Sequence, residues 1–178
     1  MEKFGARLEN KNIFLRKPEP EDLEFLYKIE NNPEYWFVSD TKAPYSRWQL
    51  KQHIENSIYD IYTNKELRLI ICKKKTNLQI GIIDLFEFDP ANSRCGIGII
   101  IDKKFQNLGI ASQSLEICLS YCFNILDLHQ VWCNILSENA ISVKLFTKFG
   151  FELTGILKEW KKIENRFVDV GFYQLIKK

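Results

Sequence analysis

Between Ile99 and Ala111 three consecutive isoleucines give way to a polar stretch, Asp102 to Asn107, and then to Leu108-Gly109-Ile110-Ala111. An apolar β-branched run ends, a loop follows, and a helix opens at small residues. Few folds accept such a joint, because the strand needs neighbours on both sides and the helix must pack back on the same sheet. The first backbone N–H groups of a helix have no partner within it and face outward as an anion site. Gly109 removes the side chain that would block close approach, Ala111 keeps the first turn open, and Ser112 adds a hydroxyl donor. The group that fits is a phosphate or pyrophosphate. Neither GxxxxGK nor GxGxxG is present to make this a nucleotide motif of another kind. Gly96-Ile97-Gly98, inside the preceding apolar run, marks a bulge or a ligand passing close to backbone.

The elements around this joint follow from periodicity. Ile13 to Arg16 reads as a first strand. Pro18 to Asp22 opens a helix whose face is Leu23, Leu26 and Tyr27, ended by Asn31-Asn32-Pro33. Ser46 and Gln49 have capping-box spacing and start a second helix of about four turns carrying Leu50, Ile54 and Ile58. Leu67 to Cys72 and Gln79 to Phe88 form a hairpin around the polar turn Lys73 to Asn77. Cys95 to Ile101 is the third strand of this region, after the turn residues of Asp89 to Asn92. A helix with Ala111, Leu115, Cys118, Cys122 and Leu126 then leads to a strand at Val131 to Leu136. A further helix (Ile141, Leu145, Phe149, closed by Gly150) and two last strands complete the chain. The order predicts an α+β fold over residues 1–178 as one domain. Its central sheet is mixed and mainly antiparallel, with one parallel β-α-β step and about four flanking helices.

Composition narrows the function. The 178 residues carry 25 basic and 23 acidic side chains, a net charge of +2, without the basic face that nucleic-acid binding requires. No stretch reaches the ~18 apolar residues of a membrane span, and residues 1–7 lack the apolar core of a secretory signal. Cys72, Cys95, Cys118, Cys122 and Cys133 lie singly within apolar runs, and Cys118 and Cys122 share one helix face, as core thiols would. His129 and Cys133 fall on opposite sides of a strand start. With no CxxC pair and two distant histidines, His53 and His129, no metal site is expected. The expectation is a cytoplasmic protein with reduced thiols, no membrane contact and no nucleic-acid partner.

Two segments together resemble a known family. Gln106-x-x-Gly109-x-Ala111 matches the (Q/R)-x-x-G-x-(G/A) signature of the GNAT superfamily of N-acetyltransferases, and Asn139 to Phe151 is similar to its second signature, N-x-x-(A/S)-x-x-(L/I)-Y-x-K-x-G-F. The likeness extends from Ile13-Phe14-Leu15-Arg16 to Val168-Asp169-Val170, in the manner of the branch that modifies ribosomal-protein N-termini. Asn31-Asn32, Tyr35-Trp36-Phe37 and Gly81 to Glu87 resemble the bacterial spermidine acetyltransferases of that branch. The resemblance implies a GNAT-like sheet with a splayed strand pair and acetyl-CoA as co-substrate. It implies that Ile99, Ile100 and Ile101 hold the pantetheine arm through backbone hydrogen bonds. Gln106, Asn107, Leu108, Gly109, Ile110, Ala111 and Ser112 would cradle the pyrophosphate. Asn139 would bond the coenzyme or the backbone beside it, and Phe146 would border it. Tyr35, Trp36 and Phe37, in the loop after the first helix, would border the acceptor. That acceptor is a small polyamine-like amine or a protein N-terminal α-amine, in a possible homo-oligomer.

The sequence departs from the family pattern twice. Phe146 stands where the family usually has the tyrosine assigned as the acid that protonates the leaving thiolate. A thiol of pKa near 8.5 can leave without one, and water or another tyrosine such as Tyr173 can replace it. Gly96 occupies a position that often carries glutamate, which leaves Asp84 and Glu87 as the candidate bases. Three residues apart on a strand, they point to opposite faces unless a bulge intervenes. Trp36, Trp48, Trp132 and Trp160 read as core or cleft walls. Glu34, Asp40, Glu55 and Asp60 read as surface acids, or as an acceptor-side attraction for a polyamine. The two departures also admit a second reading: an acyl-CoA-binding regulatory module with impaired catalysis.

Overall fold

A computed structural model describes residues 8–39 and 41–178; Asp40 therefore lies outside the described residues. In chain order the elements are β1 (Ile13–Arg16), α1 (Leu23–Glu30), α2 (Pro33–Ser39), α3 (Arg47–Asn56), α4 (Ile61–Asn64), β2 (Leu67–Lys73), β3 (Gln79–Asp89), β4 (Arg94–Ile101), α5 (Ile110–Asn124), β5 (Gln130–Leu136), α6 (Ala140–Lys148), β6 (Glu152–Ile163) and β7 (Arg166–Ile176). The seven strands form one sheet in the order β1-β2-β3-β4-β5-β7-β6. Every neighbouring pair is antiparallel except β4–β5, the parallel step of the β-α-β unit. This is the α+β architecture expected from the sequence.

Six α-helices flank the sheet among the described residues, against an expectation of about four, and local capping explains both extra ones. Asn31-Asn32-Pro33 ends α1 and also begins α2: Pro33 occupies the first helical position, and the Asn32 side chain accepts the Glu34 N–H at 3.0 Å. Tyr35, Trp36 and Phe37 consequently lie on a helix rather than in a loop. The Ser46–Gln49 capping box forms as expected, at 3.1 and 2.8 Å. The helix it starts stops at Asn56 instead of running four turns. Asp60 caps a separate turn by accepting the Thr63 N–H at 2.9 Å, and Ile58 is left exposed between the two.

Each face of the sheet buries its own helices. On one side Leu26, Ile29, Leu50 and Ile54 of α1 and α3 pack on Ile70, Cys72 and Ile82. On the other, Leu115, Cys118 and Cys122 of α5 pack on Ile71, Ile83, Leu85 and Cys95. Alternation along β2 and β3 supplies both sets, as expected for strands covered on two faces. All five cysteines are buried free thiols, the core role expected of them.

Candidate functional site

The site begins where β4 and β5 part. Their parallel pairing covers Arg94↔Gln130, Cys95↔Val131 and Gly96↔Trp132 only, yet β4 continues to Ile101 and β5 to Leu136. Beyond Gly96 the strands splay, and a cleft of about 650 Å³ opens between them. Gly98, Ile99 and Ile100 border one side of it, Cys133 to Leu136 the other, and Asn139, Ser142 and Phe146, at the cap and on the body of α6, border its end. Backbone groups of β4 that lack a β5 partner there face the gap, where an extended chain rich in amide groups can add itself as a strand. Ile101, by contrast, turns into the core.

The expected bulge lies on the neighbouring strand. Register runs unbroken from Gly81↔Ile101 to Phe86↔Gly96 and shifts only between Phe86 and Asp89. Gly96 is required because the Phe86 ring covers it: a Cβ there would sit 2.3 Å from that ring. The bulge falls on Glu87, whose φ is +48°. It cancels the three-residue alternation, so Asp84 and Glu87 both border the cleft. Their surroundings differ. Asp84 accepts from Nε and Nη2 of the Arg68 guanidinium, at 2.8 Å each, while Nη1 donates to the buried Glu30. Glu87 is exposed to the cleft.

At the end of β4 a turn and a short 3-10 segment, Lys103–Phe105, lead to α5. Asn107 and Gly109 adopt left-handed φ values of +60° and +72°, and no atom lies within 4 Å of where a Gly109 Cβ would be. The conformation, not a crowded neighbour, demands glycine here. The outer side of the loop is open to the first-turn N–H groups of Ile110, Ala111 and Ser112. Leu108 is exposed at the loop tip.

Three side chains brace this loop from behind. The Gln106 amide donates to the Ile101 carbonyl at 3.0 Å. The buried Tyr35 hydroxyl donates to the same carbonyl at 3.3 Å and accepts the Lys103 N–H at 2.9 Å. Burial above all pushes the Tyr35 hydroxyl's pKa up, which keeps it a donor. Asp102, nearly buried, is ion-paired to Lys28 at 2.5 Å. Burial opposes its charge, but the Lys28 ammonium and the Lys104 N–H outweigh that and hold its carboxyl below the usual range.

The remaining expected residues divide. Phe37 borders the cleft, whereas Tyr35 serves the loop and Trp36 donates its indole N–H to the Glu30 carbonyl at 2.8 Å. The Asn139 side chain caps α6 by accepting the Ser142 N–H at 3.1 Å, at the border of the cleft. Phe146 is buried edge-on to Phe151, with ring centroids 5.0 Å apart. Tyr173 is buried in the core away from the cleft walls; among the described residues the tyrosine on those walls is Tyr45. Arg68 escaped the sequence reading although it sits in register opposite Asp84, on the face shared by Ile70 and Cys72. A charged residue on a core-facing strand position was the available signal. No cluster of metal-binding side chains occurs among the described residues.

Comparisons with known proteins agree with this geometry. A family model described as an acetyltransferase (GNAT) domain matches residues 12–152. A spermidine N(1)-acetyltransferase of Vibrio cholerae is 31% identical over 164 residues, 90% of this chain and 91% of the relative. A crystal structure of spermidine N-acetyltransferase from the same organism, in complex with CoA and spermine, superposes with a TM-score of 0.83 at 29% identity, covering 94% of this chain and 96% of that one. A dodecameric structure of that enzyme superposes at 0.79, again at 29% identity, covering 94% and 95%.

Proposed function

The chain belongs to the acetyltransferase (GNAT) family, and from that premise we propose that it transfers the acetyl group of acetyl-CoA directly to the nitrogen of a small primary amine. The observation that carries the reading is the splay of β4 from β5, continuous with the open, left-handed Gly109 joint at the head of α5. A pantetheine arm fits the first and a pyrophosphate the second. Ile99 and Ile100 offer backbone groups and apolar walls to the arm, and the amides at the start of α5 offer N–H donors to the phosphates. Bound there, acetyl-CoA supplies the activated acyl group as its thioester.

The chain's own residues supply position and a proton acceptor. An amine of pKa near 10 reacts only after losing a proton. We assign that proton to Glu87, directly or through water, because Asp84 is committed to Arg68. The amine nitrogen then bonds to the carbonyl carbon, the C–S bond breaks, the nitrogen loses its second proton to water, and CoA leaves as a thiolate that water protonates. Phe146 walls the cleft and gives no proton. Gln106 and Tyr35 hold the loop that holds the coenzyme. The buried free thiols fit a cytoplasmic setting. A homo-oligomer fits the dodecameric relative and the long, exposed edge strand β6.

Release of CoA thiol across a panel of amines and an N-terminal peptide tests the reading. Turnover of at least one amine is expected; tight acetyl-CoA binding with no turnover would refute it. Phe146 and the ring-filled Gly96 favour a second reading, an acyl-CoA-binding module with impaired catalysis. Phe146→Tyr separates the two. Activity appearing in a dead parent supports the module, and a competent parent excludes it.

A further inference from the structure

Among the described residues the cleft offers few free carboxylates to a polycation. A polyamine carries several ammonium groups at neutral pH, and a carboxylate is the strongest partner for each one taken from water. Among the described residues three carboxylates border the cleft: Glu30, Asp84 and Glu87. Arg68 has engaged two of them. Its guanidinium meets Asp84 with two bonds of 2.8 Å and reaches Glu30, which is only 6% exposed. A planar guanidinium in bidentate contact is not readily displaced by an incoming ammonium, a compact and strongly hydrated charge. Glu87 remains. Lys162 stands on the opposite side of the same cleft and adds repulsion for a polycation.

Where acids are short, rings are plentiful. Phe37, Tyr45, Phe86, Trp132 and Trp160 all border this space. Trp132 is held firmly: Phe86 meets it edge-on at 5.2 Å and 89°, and Phe172 stacks on it at 5.3 Å and 29°. Gly96 makes this row possible, since any side chain there would displace the Phe86 ring. An immobile aromatic wall is matched by a flat, weakly hydrated partner.

We infer that the acceptor is a primary monoamine carried on a flat-faced ring, and that Arg68 sets this specificity by cancelling Glu30 and Asp84. The inference rests on the N-acetyltransferase reading above. A single nitrogen needs one carboxylate to orient and deprotonate it, and Glu87 is placed for that. The ring is either aromatic or the apolar face of a sugar, both of which stack on indole.

Steady-state acetylation of 2-phenylethylamine, glucosamine, n-butylamine and spermidine tests it. At least one ring-bearing amine is expected to exceed both spermidine and n-butylamine in kcat/KM by tenfold or more, and which of the two does so identifies the ring. A smaller margin over spermidine overturns the inference while leaving the N-acetyltransferase reading intact. A match by n-butylamine overturns the role of the ring. Failure of every amine removes that reading and the inference together. Arg68→Gln frees the two carboxylates and is expected to move the spermidine to ring-amine ratio at least tenfold toward spermidine. An unchanged ratio in a folded variant, checked by circular dichroism, overturns the role of Arg68. If that variant does not fold, Arg68→Lys, which keeps the charge but loses the fork, is expected to move the ratio in the same direction. An unchanged ratio in Arg68→Lys likewise overturns the role of Arg68.

Discussion

Asp84 and Glu87 carry the same functional group three residues apart on one strand, and their partners divide the work between them. A carboxylate clamped by a bidentate guanidinium has both oxygens engaged and leaves little room for a substrate amine. Glu87 has no such clamp, and its φ of +48° is a conformation that a non-glycine residue adopts at a cost of about 1–3 kcal/mol. The strain turns its side chain onto the Asp84 face. Glu87→Gln is therefore expected to lower kcat about 10²–10⁴-fold, the usual worth of a general base, with little change in the thermal melting temperature. Asp84→Asn should do the opposite, costing stability and raising KM more than it lowers kcat. In the wild type kcat/KM should rise with pH as the free amine fraction grows, and a pH profile of both variants separates that rise from the enzyme's own titration.

Elements meet at the loop between β4 and α5, where one strand end is gripped from behind and left open in front. Gly109→Ala keeps the small size but forces a Cβ into the left-handed region, at about 1 kcal/mol of stability. The added carbon meets no protein atom, so it projects into the space proposed for the pyrophosphate. Calorimetric titration with CoA should show weakened binding for Gly109→Ala and its loss for Gly109→Val, in folded proteins. Tyr35→Phe removes one hydroxyl from the Ile101 carbonyl and the Lys103 N–H together. A loss of about 1–2 kcal/mol is expected, with weaker coenzyme binding although Tyr35 never faces the cleft. The joint itself was legible in the sequence because glycine, helix start and strand end are local signals. So was the capping box at Ser46. The bulge at Glu87 was not, because it depends on register between β3 and β4. Arg68 and its two carboxylates were not, because Glu30, Arg68 and Asp84 converge from α1, β2 and β3. One extra helix was missed because Pro33, read as a stop, also serves as a start, and the other because Asp60, read as a surface acid, caps a new turn.

At the scale of the whole molecule, the helical layer over the cleft must stay seated on the sheet, and Asp22 ties the start of α1 to it. The residue is fully buried, yet it accepts both arms of Arg16 on β1, at 2.6 and 2.9 Å, the Glu19 N–H at 2.8 Å and the Gln79 amide on β3 at 2.9 Å. Burial opposes its charge; the four donors more than offset that, and its carboxyl is held below the usual range. The folded state thus binds fewer protons than the unfolded chain near the ordinary aspartate value of about 4. The stabilisation is complete above that value and is lost as pH falls through the lower, folded one. Asp22→Asn should cost about 3 kcal/mol at neutral pH, toward the low end for a broken buried pair because Arg16 keeps some contact with water. The deficit relative to wild type should shrink steadily below about pH 4, where the unfolded carboxyl takes up a proton while the native one keeps its charge to lower pH. Urea denaturation of both proteins between pH 3 and 7 measures it directly. A deficit that stayed constant across that range would mean that Asp22 acts through packing and hydrogen bonding alone, and that its charge does not hold the layer in place.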